Sequence, residues 1–185
     1  MRTVLSSVLL VAVLGCHDGA APSADESFAV NGKPIHPACV FELLRRIPDR
    51  QPSIAAVDVE GCAQSRLHAR GRVSRNVDGW RYEHPDLIEG GFFCYWWLGA
   101  TPGGTHAVLT AYNGGGSGVF YTVVFLTLQE RTYFQESGLN RRWMLSSLGE
   151  VQLGDRTPDR AVLEGSDLVV CPPAGEPRRI PVPVS

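Results

Sequence analysis

The stretch that most constrains the fold is Thr105 to Leu128, where two apolar segments flank a run rich in glycine. The first segment reads THAVLTAY, the turn reads NGGGSG, and the second segment reads VFYTVVFLTL. β-Branched and aromatic residues on both sides of a glycine-rich turn are the strongest signal for a β-hairpin in this sequence. Both alternating sets of the second segment are mostly apolar, as in a strand covered on its two faces. We therefore predict that this hairpin forms the centre of the fold.

The remainder of the body shows the same pattern of short strands separated by turns. The composition agrees, because 20 glycines and 13 prolines favour turns over long helices. Tight turns are predicted at Asn31-Gly32, at Val77 to Gly79 and at Gly165, each between strand-like runs. The charged residues after Leu128, as far as Gly138, are predicted to form a loop.

One helix is expected, beginning at Pro37 and ending before Pro48, because proline at the first helical position costs no hydrogen bond. Strands are predicted from Ser53 to Glu60 and from Trp143 to Leu153, the latter interrupted around residues 146–149. These elements predict a mainly β fold, an antiparallel sandwich or partly closed barrel of about eight or nine short strands with one short N-terminal helix.

The N-terminus has the features of an export signal. Arg2 supplies a charged start, and Val8 to Leu14 form a short apolar run. This run is too short for a permanent membrane span, which needs about 20 apolar residues. Gly15 and Cys16 follow it directly, and the sequence Val-Leu-Gly-Cys that ends at Cys16 resembles the lipobox of bacterial lipoproteins.

The lipobox resemblance implies that the signal is cut before Cys16 and that the cysteine sulfur receives a diacylglyceryl group. An ordinary secretory signal that happens to end in a cysteine is the alternative. The resemblance places the protein in the bacterial cell envelope, facing the periplasm, with the membrane as its partner through the N-terminal lipid. His17 follows the cysteine, where aspartate favours the inner membrane in enteric bacteria, so the outer membrane is the expected site.

These features divide the chain into four segments. Residues 1–15 are the predicted signal peptide. Residues 16–27 are small, polar and proline-bearing, which predicts a lipidated flexible tether. Residues 28–171 are predicted to form a single β-rich domain, and residues 172–185 a proline-rich tail that runs extended over the surface.

Four cysteines remain in the body: Cys39, Cys62, Cys94 and Cys171. An even number in an exported protein suggests two disulfides, and three pairings are open. We predict Cys39 with Cys62 and Cys94 with Cys171, and buried free thiols are the alternative. Metal binding is disfavoured, because no two of these cysteines have the spacing of a zinc site.

The glycine-rich turn is also a candidate binding loop at a hairpin tip. It comprises Asn113, Gly114, Gly115, Gly116, Ser117 and Gly118. The run lacks the lysine-serine ending of a phosphate-binding loop, and no helix is predicted after it. Val119 stands where the nucleophile elbow of hydrolases requires glycine. The sequence therefore favours a simple turn, with a binding loop as the alternative.

No catalytic residue, metal ligand or cofactor is predicted. The four histidines of the body lie outside any zinc-protease motif, and Asp155, Asp159 and Glu164 lack the order of a calcium loop. A Ser-His-Asp triad can be assembled from distant residues in any chain of this length, so its availability carries no weight. The aromatic run from Phe92 to Leu98 is predicted to be core, with outer side chains such as Tyr95 or Trp97 as alternative ligand contacts.

A basic stripe is the one functional surface that the spacing suggests. Its candidate anion contacts are Arg66, His68, Arg70 and Arg72. Residues two apart share one face of a strand, and no acidic residue lies between Cys62 and Val77. The stripe is either a charged edge strand that prevents edge-to-edge pairing or a contact for an anionic envelope component, which arginine binds bidentately.

Three functions are compatible with the sequence. The first is a non-enzymatic, lipid-anchored binding or interaction module, whose partner is an anionic envelope component or an envelope protein. The second is an inhibitor of a cell-wall lytic enzyme such as lysozyme, with the Gly115 to Ser117 tip entering the active-site cleft. The third is a hydrolase of envelope polymers. Nucleic acid is not an expected partner, because 17 basic residues are balanced by 19 acidic ones.

Overall fold

The structure is a computed structural model, and it describes residues 28–44, 56–65, 71–76, 79–83, 87, 90–135, 138–155 and 159–184. The predicted signal peptide and tether, including Cys16, lie outside these residues. The basic stripe is described only at Arg72, since Arg66, His68 and Arg70 lie outside as well.

A seven-stranded antiparallel sheet curled into a half-barrel dominates the fold. Its strands are β3 (Ala56–Asp58), β4 (Arg72–Asn76), β5 (Gly79–Glu83), β6 (Phe92–Ala100), β7 (His106–Asn113), β8 (Phe120–Gln135) and β9 (Gly138–Asp155). The strand order is β3-β9-β8-β7-β6-β5-β4. The predicted central hairpin is confirmed as β7 and β8, which lie in the middle of this sheet.

Smaller elements cover the two faces of the sheet. The strands β1 (Ala29–Val30) and β2 (Lys33–Pro34) form a hairpin, and β10 (Arg160–Glu164), β11 (Asp167–Cys171) and β12 (Arg178–Pro181) form a three-stranded sheet. The helices are α1 (Pro37–Leu44) and α2 (Val59–Ala63). The Asn31-Gly32 turn is confirmed, and both residues have the positive φ angles, 52° and 72°, that this tight turn requires.

Two apolar cores lie on opposite faces of the large sheet. On one face, Tyr95, Val108 and Val124 pack under the N-terminal hairpin and the two helices. On the other face, Phe125 packs with Leu168 of the three-stranded sheet. A sheet covered on both faces explains why the central strands are apolar in both alternating sets. The predicted mainly β sandwich or partly closed barrel is thereby confirmed.

Several details of the prediction need correction. A second helix, α2, follows β3 where the sequence suggested continued strand, because the Asp58 carboxylate caps it by accepting from the amides of Glu60 and Gly61. The predicted interruption of β9 is a β-bulge, seen as a shift in its register with β8 between Phe125 and Leu126. The proline-rich tail contributes β12 and the buried Val182, so the fold continues beyond residue 171.

The predicted loop between Leu128 and Gly138 is wrong. β8 runs to Gln135 and β9 starts at Gly138, and the two strands pair in unbroken register from Leu126 to the tip. Their side chains are largely exposed, so this stretch lacked the apolar signal of a covered strand.

The disulfide pairing of the cysteines agrees with the prediction only in part. The Cys39–Cys62 disulfide is confirmed, and it joins α1 to α2 with Cα atoms 5.7 Å apart. The predicted Cys94–Cys171 disulfide is wrong, because Cys94 is a free, buried thiol. Cys94 lies within the large sheet, between Arg81 of β5 and Ala111 of β7, whereas the disulfide-bonded Cys171 ends a strand of the three-stranded sheet.

Candidate functional site

The end of the hairpin formed by β8 and β9 is an exposed structured element. We call residues 130–135 and 138–143 the arm. β7 pairs with β8 only as far as Leu126, and β3 pairs with β9 only from Met144 to Ser146. In the described part of the chain, the arm strands therefore pair only with each other. Six residues of antiparallel strand extend about 20 Å.

An exposed apolar pair lies near the outer end of the arm, one residue pair before Gln135 and Gly138. Phe134 of β8 lies directly opposite Leu139 of β9, and the two side chains are 84% and 73% exposed. Tyr133, on the other face, is 38% exposed. Single exposed apolar residues are common, but a cross-strand pair at a protruding tip is typical of a contact surface.

Arginine side chains lie a short distance behind the tip. Arg131 is directly opposite Arg142, and Arg141 is two residues from Leu139. Arg141 pairs with Glu130 at 3.5 Å on the exposed surface. Three arginines and one glutamate give the described part of the arm a positive charge. Like charges directly opposite each other destabilise a hairpin, and the ion pair between Arg142 and Asp58 offsets the repulsion between Arg131 and Arg142.

The base of the arm is fixed to the core. Leu128 and Trp143 pack against the helix-side core, and Arg142 Nη1 lies 2.9 Å from Asp58 Oδ2. Asp58 is also the N-cap of α2. The arm is thus held at its base by apolar packing and an ion pair.

The first described residue of the body lies near this base. The ring of Phe28 lies 5.1 Å from the ring of His106, and His106 is directly opposite Leu126, where β8 leaves the sheet. His106 Nδ1 accepts a hydrogen bond from Trp97 Nε1 at 3.2 Å. Burial lowers the pKa of His106, which favours the neutral ring that this hydrogen bond requires. The chain therefore enters the domain at the end of the sheet that carries the arm.

The glycine-rich loop lies at the opposite end of the same sheet. Asn113 Oδ1 accepts from the Gly115 amide, and Asn113 Nδ2 donates to the Gly116 carbonyl at 3.0 Å. The Val119 amide donates to Asp155 Oδ1 at 2.8 Å. These bonds fix a compact hairpin turn, flanked by the cross-strand pair Tyr112 and Phe120, which are 38% and 57% exposed. The predicted turn is confirmed, and its role as a binding loop stays a prediction.

The structure describes the basic stripe at a single position. Arg72 begins β4, the edge strand of the large sheet, and its side chain is exposed. Glu83 lies directly opposite on β5. No acidic residue lies close to the stripe in the sequence. Strand pairing nevertheless places the acidic Glu83 opposite Arg72. Contact between the stripe and an anion stays a prediction.

The aromatic run on β6 is core, as predicted, and the ligand-contact alternative for Tyr95 and Trp97 is wrong because both side chains are buried. Phe92 and Trp96 are the half-buried members. The Arg81 guanidinium lies 4.1 Å above the Phe92 ring and pairs with Glu83 at 3.1 Å. Burial raises the pKa of the nearby Cys94 thiol, which disfavours a reactive thiolate.

Among the described residues, no group of histidine, cysteine, aspartate or glutamate side chains could hold a metal ion. No helix in that part of the chain combines the length and apolar character needed to cross a membrane. No family model, no curated protein and no solved structure matches this chain. The arm itself was missed by the sequence interpretation, and the adjacent Tyr133-Phe134 beside charged residues was the one signal that could have indicated it.

Proposed function

We propose that this protein is a lipid-anchored module of the bacterial envelope that acts by binding, with the arm as its binding element. The observation that carries the proposal is the exposed Phe134–Leu139 pair at the end of a hairpin fixed to the core. Exposed apolar side chains lower the solubility of a protein. An exposed apolar pair such as Phe134 and Leu139, on a hairpin whose base packs against the core, is therefore typical of a contact site.

The roles of the described histidines support binding over catalysis. His36 Nδ1 accepts a hydrogen bond from the Ala38 amide at the start of α1, and His106 Nδ1 accepts from Trp97. Both rings thus use a nitrogen to stabilise the fold. The buried Cys94 thiol is likewise a poor nucleophile, since its pKa is raised. The hydrolase hypothesis has no observation in its favour in the described part of the chain.

Anchoring rests on the resemblance of residues 1–16 to a lipoprotein signal. A diacylglyceryl group on Cys16, joined to the body by a polar tether, would hold the domain at the periplasmic side of a membrane, with the outer membrane expected. The small polar residues of the tether leave the body free to reorient.

Inhibition of a cell-wall lytic enzyme is the second candidate, and the protrusion of the arm favours it. A hairpin with an exposed apolar pair near its end fits an active-site cleft. The arm suits this role better than the Gly115 to Ser117 turn. Hydrogen bonds of the Asn113 side chain with Gly115 and Gly116 keep that turn compact.

Photo-crosslinking in the native envelope tests the proposed function. A photoreactive phenylalanine analogue replaces Phe134 in the lipidated protein, and the matched control carries it at Phe120, an exposed phenylalanine at the opposite end of the sheet. We expect adducts with protein or lipid from position 134 and several-fold fewer from position 120. Equal labelling from both positions, or none from position 134, would refute the arm as the binding element.

A further inference from the structure

The sequence contains two Asn-Gly pairs, and the fold surrounds them differently. Asn31 and Gly32 form the exposed turn of the N-terminal hairpin, whereas Asn113 and Gly114 begin the glycine-rich turn of the large sheet. An asparagine followed by glycine is open to an intramolecular reaction, because glycine has no side chain that would keep its backbone nitrogen from the amide carbon of the asparagine. The surroundings of each asparagine then decide whether the reaction occurs in the folded protein.

The surroundings of Asn31 leave its side chain mobile. Asn31 and Gly32 are exposed, and a Cβ atom built at Gly32 has no neighbour within 4 Å. The side-chain amide of Asn31 donates one long hydrogen bond, of 3.4 Å, from Nδ2 to Glu60 Oε1. A hydrogen bond of this length is weak. The Asn31 amide can therefore rotate toward the Gly32 nitrogen, and water reaches the turn.

The surroundings of Asn113 fix its side chain. Asn113 is 8% exposed, its Oδ1 accepts from the Gly115 amide at 2.6 Å, and its Nδ2 donates to the Gly116 carbonyl at 3.0 Å. The Tyr112 hydroxyl also lies 3.1 Å from a Cβ atom built at Gly114, so the space beside that glycine is filled. Rotation of the Asn113 amide toward Gly114 would break both hydrogen bonds. The folded protein therefore protects Asn113 from the reaction.

From this contrast we propose that Asn31 is a site of spontaneous deamidation in the folded protein, and that the product loosens the N-terminal hairpin. The Gly32 nitrogen attacks Asn31 Cγ and gives up its proton to water. The bond between Cγ and Nδ2 breaks, and Nδ2 takes up a proton and leaves as ammonia. Water then opens the five-membered succinimide ring at one of its two carbonyl carbons, which gives aspartate or isoaspartate. The reaction is independent of the arm and of its partner.

The new carboxylate faces an acidic neighbour. Asn31 Nδ2 donates to Glu60 Oε1, and both products replace this donor with a negative charge. Glu60 lies in the first turn of α2, so the repulsion acts between the hairpin and that helix. Isoaspartate also adds a backbone atom to the two-residue turn, which disturbs the pairing of Val30 with Lys33. Both effects weaken the attachment of the first described residues of the body.

Peptide mapping of aged protein tests the reaction. The full-length protein, purified in detergent, is incubated in mildly alkaline buffer, and mass spectrometry follows deamidation and isoaspartate at Asn31 and Asn113. Protein that is reduced and unfolded in urea is the control, because both Asn-Gly pairs are then equally accessible. We expect Asn31 to react several-fold faster than Asn113 in the folded protein, and both to react at similar rates in the unfolded protein. Equal rates in the folded protein, a faster reaction at Asn113, or no reaction at Asn31 while the unfolded protein reacts would refute the site.

Variants at the turn test the loosening. Asn31→Asp introduces the charge of the product, and Asn31→Gly is the matched control, because Asp-Gly and Gly-Gly both suit this tight turn. The Ile35 amide reports on the hairpin, since it donates to the Phe28 carbonyl at 3.1 Å. We expect hydrogen exchange at Ile35 to be several-fold faster in Asn31→Asp than in Asn31→Gly, and Glu60→Gln added to Asn31→Asp to reduce the difference. Equal exchange in the two variants, or a difference that Glu60→Gln leaves unchanged, would overturn the loosening by this charge.

Discussion

Arg142 and Asp58 form an ion pair of 2.9 Å that joins the base of the arm to the start of α2. Asp58 has a second role, because its other oxygen accepts from the amides of Glu60 and Gly61 as the N-cap. We expect Asp58→Ala to lower the free energy of unfolding by about 1–2 kcal/mol, since the cap alone is worth about 1 kcal/mol. Chemical denaturation of the variant measures this loss.

The ion pair itself should contribute less. Both side chains are about one-third exposed, and pairs of this kind contribute about 0–1 kcal/mol. Arg142→Ala should therefore be milder than Asp58→Ala. A double-mutant cycle isolates the coupling between them, and a coupling above about 2 kcal/mol would show that the pair is much stronger than an exposed one.

The Cys39–Cys62 disulfide should contribute substantially to stability. It closes a loop with a sequence separation of 23 residues, for which the chain-entropy model gives about 3 kcal/mol. Replacing both cysteines with alanine should lower the free energy of unfolding by about this amount, measured by urea denaturation. Cys94→Ala is the matched control, because it removes a buried sulfur that closes no loop. Equal losses in the two variants would contradict the entropic contribution.

His106 should make stability depend on pH. Burial lowers its pKa below the ordinary 6.5, so the unfolded state binds a proton more readily than the folded state. The stabilising contribution is fully present above pH 6.5 and is lost as the pH falls through 6.5 toward the folded pKa. His106→Gln removes this titration and keeps an acceptor for Trp97. Between pH 7 and 5 the variant should lose less stability than the wild type, and parallel unfolding curves would refute the assignment.

The central sheet could be predicted because its residues carry two kinds of local information. Alternating apolar sets marked the covered strands β7 and β8, and glycine runs marked the turn between them. The Cys39–Cys62 pairing could be predicted because the two cysteines lie in α1 and α2, which are close together in the sequence. Local preferences of this kind agree with the final fold, so they indicate the correct elements.

The arm and the fate of Cys94 could not be predicted, since both depend on contacts between distant segments. The arm strands are polar on most positions, and only pairing across the hairpin shows that they are strands. Cys94 is buried in the large sheet between Arg81 and Ala111, and neither neighbour is visible from the spacing of cysteines. The N-cap at Asp58 had a local signal, but the apolar residues before it favoured a continued strand.

The anchor at Cys16 can be tested against a specific alternative. Cys39 is bonded to Cys62, Cys94 is free, and Cys171 is disulfide-bonded. Of the five cysteines in the sequence, only Cys16 is then left as an intramolecular partner for Cys171. A cysteine sulfur that carries a diacylglyceryl thioether cannot also form a disulfide. Lipid attachment and an intramolecular bond to Cys171 therefore exclude each other.

Mass spectrometry of the protein extracted from its native membrane, under non-reducing conditions, decides between them. The account predicts an N-terminal peptide that begins at Cys16 and carries a diacylglyceryl group, with Cys171 joined to a thiol from outside the chain. Cys16→Ala should then release the domain from the membrane fraction, since the predicted lipid supplies its principal attachment. An unlipidated Cys16 peptide joined by a disulfide to the Cys171 peptide would contradict the account.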